Sequence, residues 1–296
     1  MNLEVEHVRK SFDQLLVLQD ITFTAQTGEI VGLLGRNGVG KTTLLRMMAG
    51  IYRPDQGRIL YDGQDVYTVP QVRTQIFFTD PQAWPQHYTP LMYRELLRRI
   101  YPSFRPERFM GYVKRFELPP KMRLSSFSQG MKGLFFLSLA LSLGSRVLLL
   151  DEPTEGLDPI YKKEALRLLV EAAAEDRPLM IIATHRLDEL ESMADRLLFL
   201  RQTRVEAEIT LEDLPQRFTK WRVFLPEGQT AEELAKLKLP QLHILSQMDR
   251  MVTVLWEGDG SEGEKALRVA GAVAWEKLPL HLEDVFAAKL GGMEDE

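Results

Sequence analysis

The chain has 296 residues and no cysteine, with 37 Lys plus Arg against 42 Asp plus Glu for a formal net charge of -5. This length allows one large core and a smaller module. The lack of Cys excludes disulfides and Cys-based zinc or redox sites, and the acidic balance argues against a broad nucleic-acid surface, so no nucleic acid is expected as a partner.

Residues 1–6 are acidic and lack the apolar stretch of a signal peptide. Residues 3–8 and 17–25 alternate apolar and polar, which predicts an antiparallel strand pair. Phe12 falls in the connection and reads equally as a ring that stacks on a nucleotide base or as an ordinary hairpin aromatic. Residues 28–34 read as a turn and a buried strand. Gly35-Arg36-Asn37-Gly38-Val39-Gly40-Lys41-Thr42 then has the spacing of a phosphate-binding loop, and residues from Thr43 to the stop at Gly50 read as a helix. Glycines let backbone N–H groups surround a phosphate, and the helix N-terminus adds partial positive charge. Lys41 suits the terminal phosphates and the Thr42 hydroxyl suits Mg²⁺, which takes few protein ligands.

Residues 58–61 and 76–79 predict short strands. From 89 to 143 the chain reads as helix, divided by Pro102, Pro106, Pro119 and Pro120 into three pieces, which predicts a helical insertion at about 85–144 in an α/β core. Its longest apolar run, 134–143, is far short of the ~20 residues that cross a bilayer. The chain is therefore expected to be soluble, with any membrane role coming through a partner. Trp84, Tyr88, Tyr93, Tyr101 and Phe104 read either as a docking groove or as the core of this insertion.

Residues 146–150 predict a central parallel strand, and Asp151 and Glu152 stand at its C-terminal end, where open α/β sheets bind ligands. Carboxylates there need a cation or a water to satisfy them. A helix at 161–174, a strand at 179–184 ending at His185, a helix at 187–194 and a strand at 196–200 continue the alternation of a parallel sheet. The periodicity weakens near 212–218. Strands at 221–225, 241–247, 250–256 and 273–278, with helices at 230–237, 261–270 and 281–290, predict a separate small α+β module at 215–296 after an α/β domain at 1–214. The tail 291–296 reads as frayed.

In motif order, residues 1 to about 214 resemble the nucleotide-binding subunit of an ATP-binding-cassette (ABC) transporter. The resemblance implies a P-loop NTPase core with antiparallel β and helical subdomains. Residues 35–42 match the Walker A motif. Phe127–Met131 looks like the family signature, mainly through Ser128 and Gly130. Leu150-Asp151-Glu152-Pro153 looks like the end of Walker B and the catalytic glutamate, Gly156-Leu157-Asp158 like the D-loop, and His185 like the switch histidine. The resemblance implies ATP and Mg²⁺ as cofactors. It also implies a head-to-tail pair of copies, each ATP touching Walker A of one and the signature of the other. Ser128 is a plausible N-cap, so its helix would point its positive end at the partner's γ-phosphate. By role, Asp151 would hold Mg²⁺ through water, Glu152 would orient or deprotonate the attacking water, and His185 would contact the γ-phosphate.

Three departures stand out. Gln129 replaces the signature's first glycine and Met131 its glutamine; Lys132 supplies the basic residue that often follows, but Gly133-Leu134 come next; and the glutamine expected before the helical region falls on Gln82, with Asp80 as the alternative. The resemblance implies a separate transmembrane permease docked through the helical region and a cytoplasmic, peripheral location, and the C-terminal addition and altered signature look like exporter-type subunits. The competing readings are a soluble cassette ATPase acting on ribosomes or DNA, which usually carries two cassettes or long coiled coils, and an ATP-holding regulatory module, against which Glu152 and His185 argue.

Overall fold

A computed structural model describes residues 1–80, 83–236 and 238–290. Gln82 and the tail 291–296 lie outside the described residues. The chain divides into two compact units, Met1–Glu208 and Ile209–Glu296.

In the first unit, alternation builds β1 (Asn2–Phe12) and β2 (Leu15–Gln26), an antiparallel pair that buries Leu3, Val5, Val8, Leu18 and Ile21. β3 (Ile30–Leu34) is buried at every position and leads into α1 (Lys41–Met48). β4 (Gln56–Tyr61) and β5 (Gln64–Asp65) complete a four-stranded sheet in the order β2-β1-β4-β5. α2 (Pro70–Arg73) and β6 (Ile76–Phe78) follow. The described residues between β6 and β7 (Val147–Asp151) contain α3 (Pro90–Ile100), α4 (Pro106–Arg115) and α5 (Gln129–Ala140) and no strand. α6 (Pro159–Glu175), β8 (Leu179–Thr184), α7 (Leu187–Glu191), β9 (Arg196–Arg201) and β10 (Arg204–Thr210) come next.

The larger sheet has the order β10-β9-β3-β8-β7-β6 and is parallel from β9 to β6. Unbroken apolar runs in β3, β7 and β8 suit strands covered on both faces. One hydrophobic cluster runs from Leu3 and Ile21 through Leu44, Leu45, Met47 and Met48 of α1 to Leu149 and Ile181, so α1 joins the two sheets. Each of those four α1 side chains is fully buried, worth about 1.5–3 kcal/mol apiece. Register aligns Leu34 with Thr184 and Asp151 with Ala183, so β3, β8 and β7 end together on one rim.

The aromatics of the helical region mostly make its core. Tyr93 and Phe104 are buried, with Tyr93 5.0 Å from the Phe135 ring, and Trp84 lies among Phe77, Tyr93 and Phe136. α5 is buried all round from Leu134 to Ala140, the pattern of a helix enclosed on every side. Among the described residues, no helix is long and apolar enough to cross a membrane.

The second unit runs α8 (Leu214–Arg217), β11 (Phe218–Phe224), α9 (Ala231–Ala235), β12 (Leu242–Met248), β13 (Met251–Glu257), α10 (Gly260–Val269), β14 (Ala274–Leu278) and α11 (Leu282–Leu290). Its strands pair antiparallel in the order β12-β13-β11-β14. That is the βαββαβ, ferredoxin-like arrangement. Trp221, Val223, Val252, Val254, Trp256 and Leu267 form a core of its own. The division at Glu208 falls within β10, ahead of the 214/215 boundary that the fading periodicity suggests.

Candidate nucleotide site

Residues 35–42 bridge the end of β3 and the first turn of α1. Gly40 caps α1 at φ 110° and Gly38 has φ 84°, backbone that a side chain would strain. No side chain caps α1, which leaves its first N–H groups to an anion. Lys41 Nζ donates to Gly35 O at 2.5 Å and Arg36 O at 3.2 Å, and lies 3.5 Å from Glu152 Oε1. Burial lowers the Lys41 pKa, opposed by the charge and hydrogen bond of Glu152.

Thr42 Oγ1 donates to Asp151 Oδ2 at 2.6 Å, and Asp151 N–H donates to Thr79 Oγ1 at 2.9 Å. Burial raises the Asp151 pKa and the Thr42 bond pulls it back. Glu152 turns sharply out of β7 at φ 44°, its N–H bonded to Ala183 O at 2.8 Å. His185 Nδ1 lies 3.0 Å from Glu152 Oε1. The level ends of three parallel strands thus gather a lysine, a threonine, two carboxylates and an imidazole.

Lys41, Thr42, Asp151 and Glu152 border a cleft of about 930 Å³, roomy enough for a ligand of nucleotide size; His185 is outside its lining and touches it through Glu152. Asn37, Gly38, Gly40, Lys41, Thr42 and Thr43 line it, with Asp151 and Glu152. Phe12 also lines it, 40% exposed, and its ring meets Tyr52 edge-on at 5.5 Å. Val39 packs against the core. Asp80 lines the cleft with Oδ2 3.7 Å from Arg46 Nη2.

The structure does not bring Ser128, Gly130 or Asp158 into this lining. Ser128 and Asp158 are exposed N-caps: Ser128 Oγ accepts from Met131 N–H, and an Asp158 carboxylate oxygen accepts from the N–H groups of Ile160 and Tyr161. Gly130 approaches the 156–158 turn so closely that a Cβ would sit 2.7 Å from Gly156 O. The sequence reading missed Gln129, Lys132, Gly133 and Phe136 as lining residues. Their i, i+3, i+4, i+7 spacing marks one face of α5 and is the signal that would have found them. Thr79, a polar end to an apolar strand, is a second such signal.

The donor set fits Mg²⁺. A hydroxyl and a carboxylate are hard oxygen ligands beside a phosphate loop, and this ion keeps waters and phosphates as its other ligands. Among the described residues no cluster of three or more His, Cys, Asp or Glu offers an all-protein cage.

Residues 18–155 match the family model described as ABC transporter. Over 291 residues the chain is 34% identical to the ABC transporter ATP-binding protein YtrB of Bacillus subtilis (strain 168), covering 98% of each. The chain belongs to the ABC transporter ATP-binding family. A second relative is the sulfate/thiosulfate import ATP-binding protein CysA 1 of Chromobacterium violaceum, 31% identical over 70% of this chain and 60% of its own length. A solved ATP-binding subunit of an ABC transporter superposes with a TM-score of 0.65 at 28% identity, covering 72% of this chain and 91% of that one.

Proposed function

We propose that this chain binds ATP and hydrolyses it to power transport through a separate membrane subunit. The observation that carries the reading is the position of Glu152 Oε1, 3.0 Å from His185 Nδ1 and 3.5 Å from Lys41 Nζ, beside the Thr42–Asp151 pair. The loop amides and Lys41 bind the phosphates. Thr42 and Asp151 would hold Mg²⁺, which would supply charge neutralisation at the terminal phosphates. Glu152 accepts a proton from the attacking water while His185 holds that carboxylate and contacts the γ-phosphate. General-base action of this kind is worth ~10²–10⁴ in rate. Glu152→Gln is expected to keep ATP affinity and lose phosphate release by at least ~10²-fold; full turnover in that variant would refute the assignment.

The exposed caps at Ser128 and Asp158 support a head-to-tail pair, in which α5 of one copy points its N-terminus at the ATP of the other. The helical region carries the contact to the permease, which places the chain at the cytoplasmic face of the membrane as a peripheral subunit. The unit from 215 onward braces the pair, with regulation as the second role. The exporter type rests on the altered signature and the C-terminal addition alone, and the CysA relative is named for import. Efflux from sealed vesicles holding both subunits supports it, and ATP-driven uptake in the opposite sense overturns it.

A further inference from the structure

Glu189 lies in α7, four residues after His185, and is only 2% exposed. A carboxylate so far from water persists only with close, well-matched partners. Three segments supply them. Thr154 Oγ1, in a residue itself 5% exposed, donates to Glu189 Oε2 at 2.5 Å. Lys162 Nζ of α6 and Arg186 Nε of the β8–α7 link lie 2.7 and 2.9 Å from Oε1. Both cations therefore sit at ion-pair distance from the same buried oxygen.

The placement of these partners bears on the hydrolytic pair. Thr154 stands two residues after Glu152, and Arg186 follows His185 directly. Glu152 is held at φ 44°, in the left-handed region that a residue with a side chain keeps only where its surroundings over-determine it. Ala183 O fixes the near side of that turn by accepting the Glu152 N–H. The Thr154–Glu189 bond fixes its far side.

We propose that Glu189 is a positioning residue for ATP hydrolysis, which grips Thr154 and Arg186 together and so sets Glu152 Oε1 against His185 Nδ1. This rests on the reading of Glu152 and His185 as the hydrolytic pair. Glu189 is not in the cleft lining and acts only through those two neighbours.

The test uses the full chain assembled with its membrane subunit. Thr154→Val keeps the side-chain shape and removes the hydroxyl, Thr154→Ser restores it, and Glu189→Gln keeps the carboxylate's shape without its charge. Thr154→Val and Glu189→Gln are expected to lower kcat about 10–100-fold, the scale of a small misplacement of reacting groups. KM and affinity for a non-hydrolysable ATP analogue should stay within about twofold, and Thr154→Ser should recover most of the rate. Amide hydrogen exchange should quicken at 152–157 and 184–187 and stay unchanged in α3 and α4. Wild-type kcat and exchange in both variants overturn the proposal. So does a joint fall of kcat, analogue affinity and melting temperature in Thr154→Val without rescue by serine, which is the mark of a merely structural tie. Glu152→Gln in the same assay separates the two claims. If it too turns over normally, the hydrolytic reading has failed, and exchange at 152–157 and 184–187 alone decides whether Glu189 orders those segments.

Discussion

Asp151 keeps its carboxylate at the rim of a parallel sheet, where burial lifts its pKa against the opposing hydrogen bond from Thr42. A raised pKa means that the folded chain holds this proton more tightly than the unfolded chain does. The contribution to stability therefore falls as pH rises from the ordinary carboxylate range through the raised value, and stays lowered above it. Asp151→Asn removes the charge and keeps an acceptor for Thr42 Oγ1. In metal-free buffer it should melt higher than the parent at neutral pH by on the order of a few degrees. The gap should close by about pH 3, below the ordinary value for Asp. Melting curves taken across this range check it, and a gap that ignores pH contradicts it. Lys41, Thr42, Asp151, Glu152 and His185 were legible in the sequence because each sits in a fixed motif or ends an apolar strand. Arg46 was not, since its place in the cleft depends on how α1 and β6 meet in space, whereas Thr79 carried the signal of a polar strand end that went unused.

At the scale of one element, α5 combines an exposed cap, a close backbone approach and a fully buried body. Ser128→Ala removes the acceptor for Met131 N–H and should cost about 0.5–2 kcal/mol, whereas Ser128→Gly should cost only a few tenths. Denaturant unfolding compares the two; equal losses would mean that the cap contributes nothing. Gly130→Ala adds a Cβ 2.7 Å from Gly156 O, a backbone atom that cannot swing aside. A loss of about 1–3 kcal/mol is expected from that overpacking, and an unchanged midpoint would show that the backbone at Gly156 yields freely. The existence of α5 was plain from its apolar run, but the face it turns to the cleft was not. β10 went unread for a different reason. It is an edge strand whose stripe, Val205, Ala207 and Ile209 between Arg204, Glu206 and Glu208, is short and buried only at Ile209.

For the whole molecule, two units with separate hydrophobic cores should unfold as two transitions. Calorimetry with saturating Mg²⁺ and ATP should raise the transition of the first unit, by about 2.7 kcal/mol at a hundredfold excess over Kd, and leave the second in place. Trp221→Ala should lower only the second, by about 3–5 kcal/mol. A single transition that shifts as one in both experiments would show that the units are thermodynamically fused. Strand and helix order in the second unit could be read from the sequence, and the α+β class followed from it. The βαββαβ pairing could not, because which strands lie side by side is set by packing around Trp221 and Trp256 rather than by any local pattern. In the proposed cycle a pair of chains closes on nucleotide and parts after its cleavage. Sedimentation of the Glu152→Gln chain with and without Mg²⁺ and ATP tests it most directly. A monomer without nucleotide and a stable dimer with it are expected, whereas a chain that saturates with ATP and stays monomeric contradicts the proposed cycle.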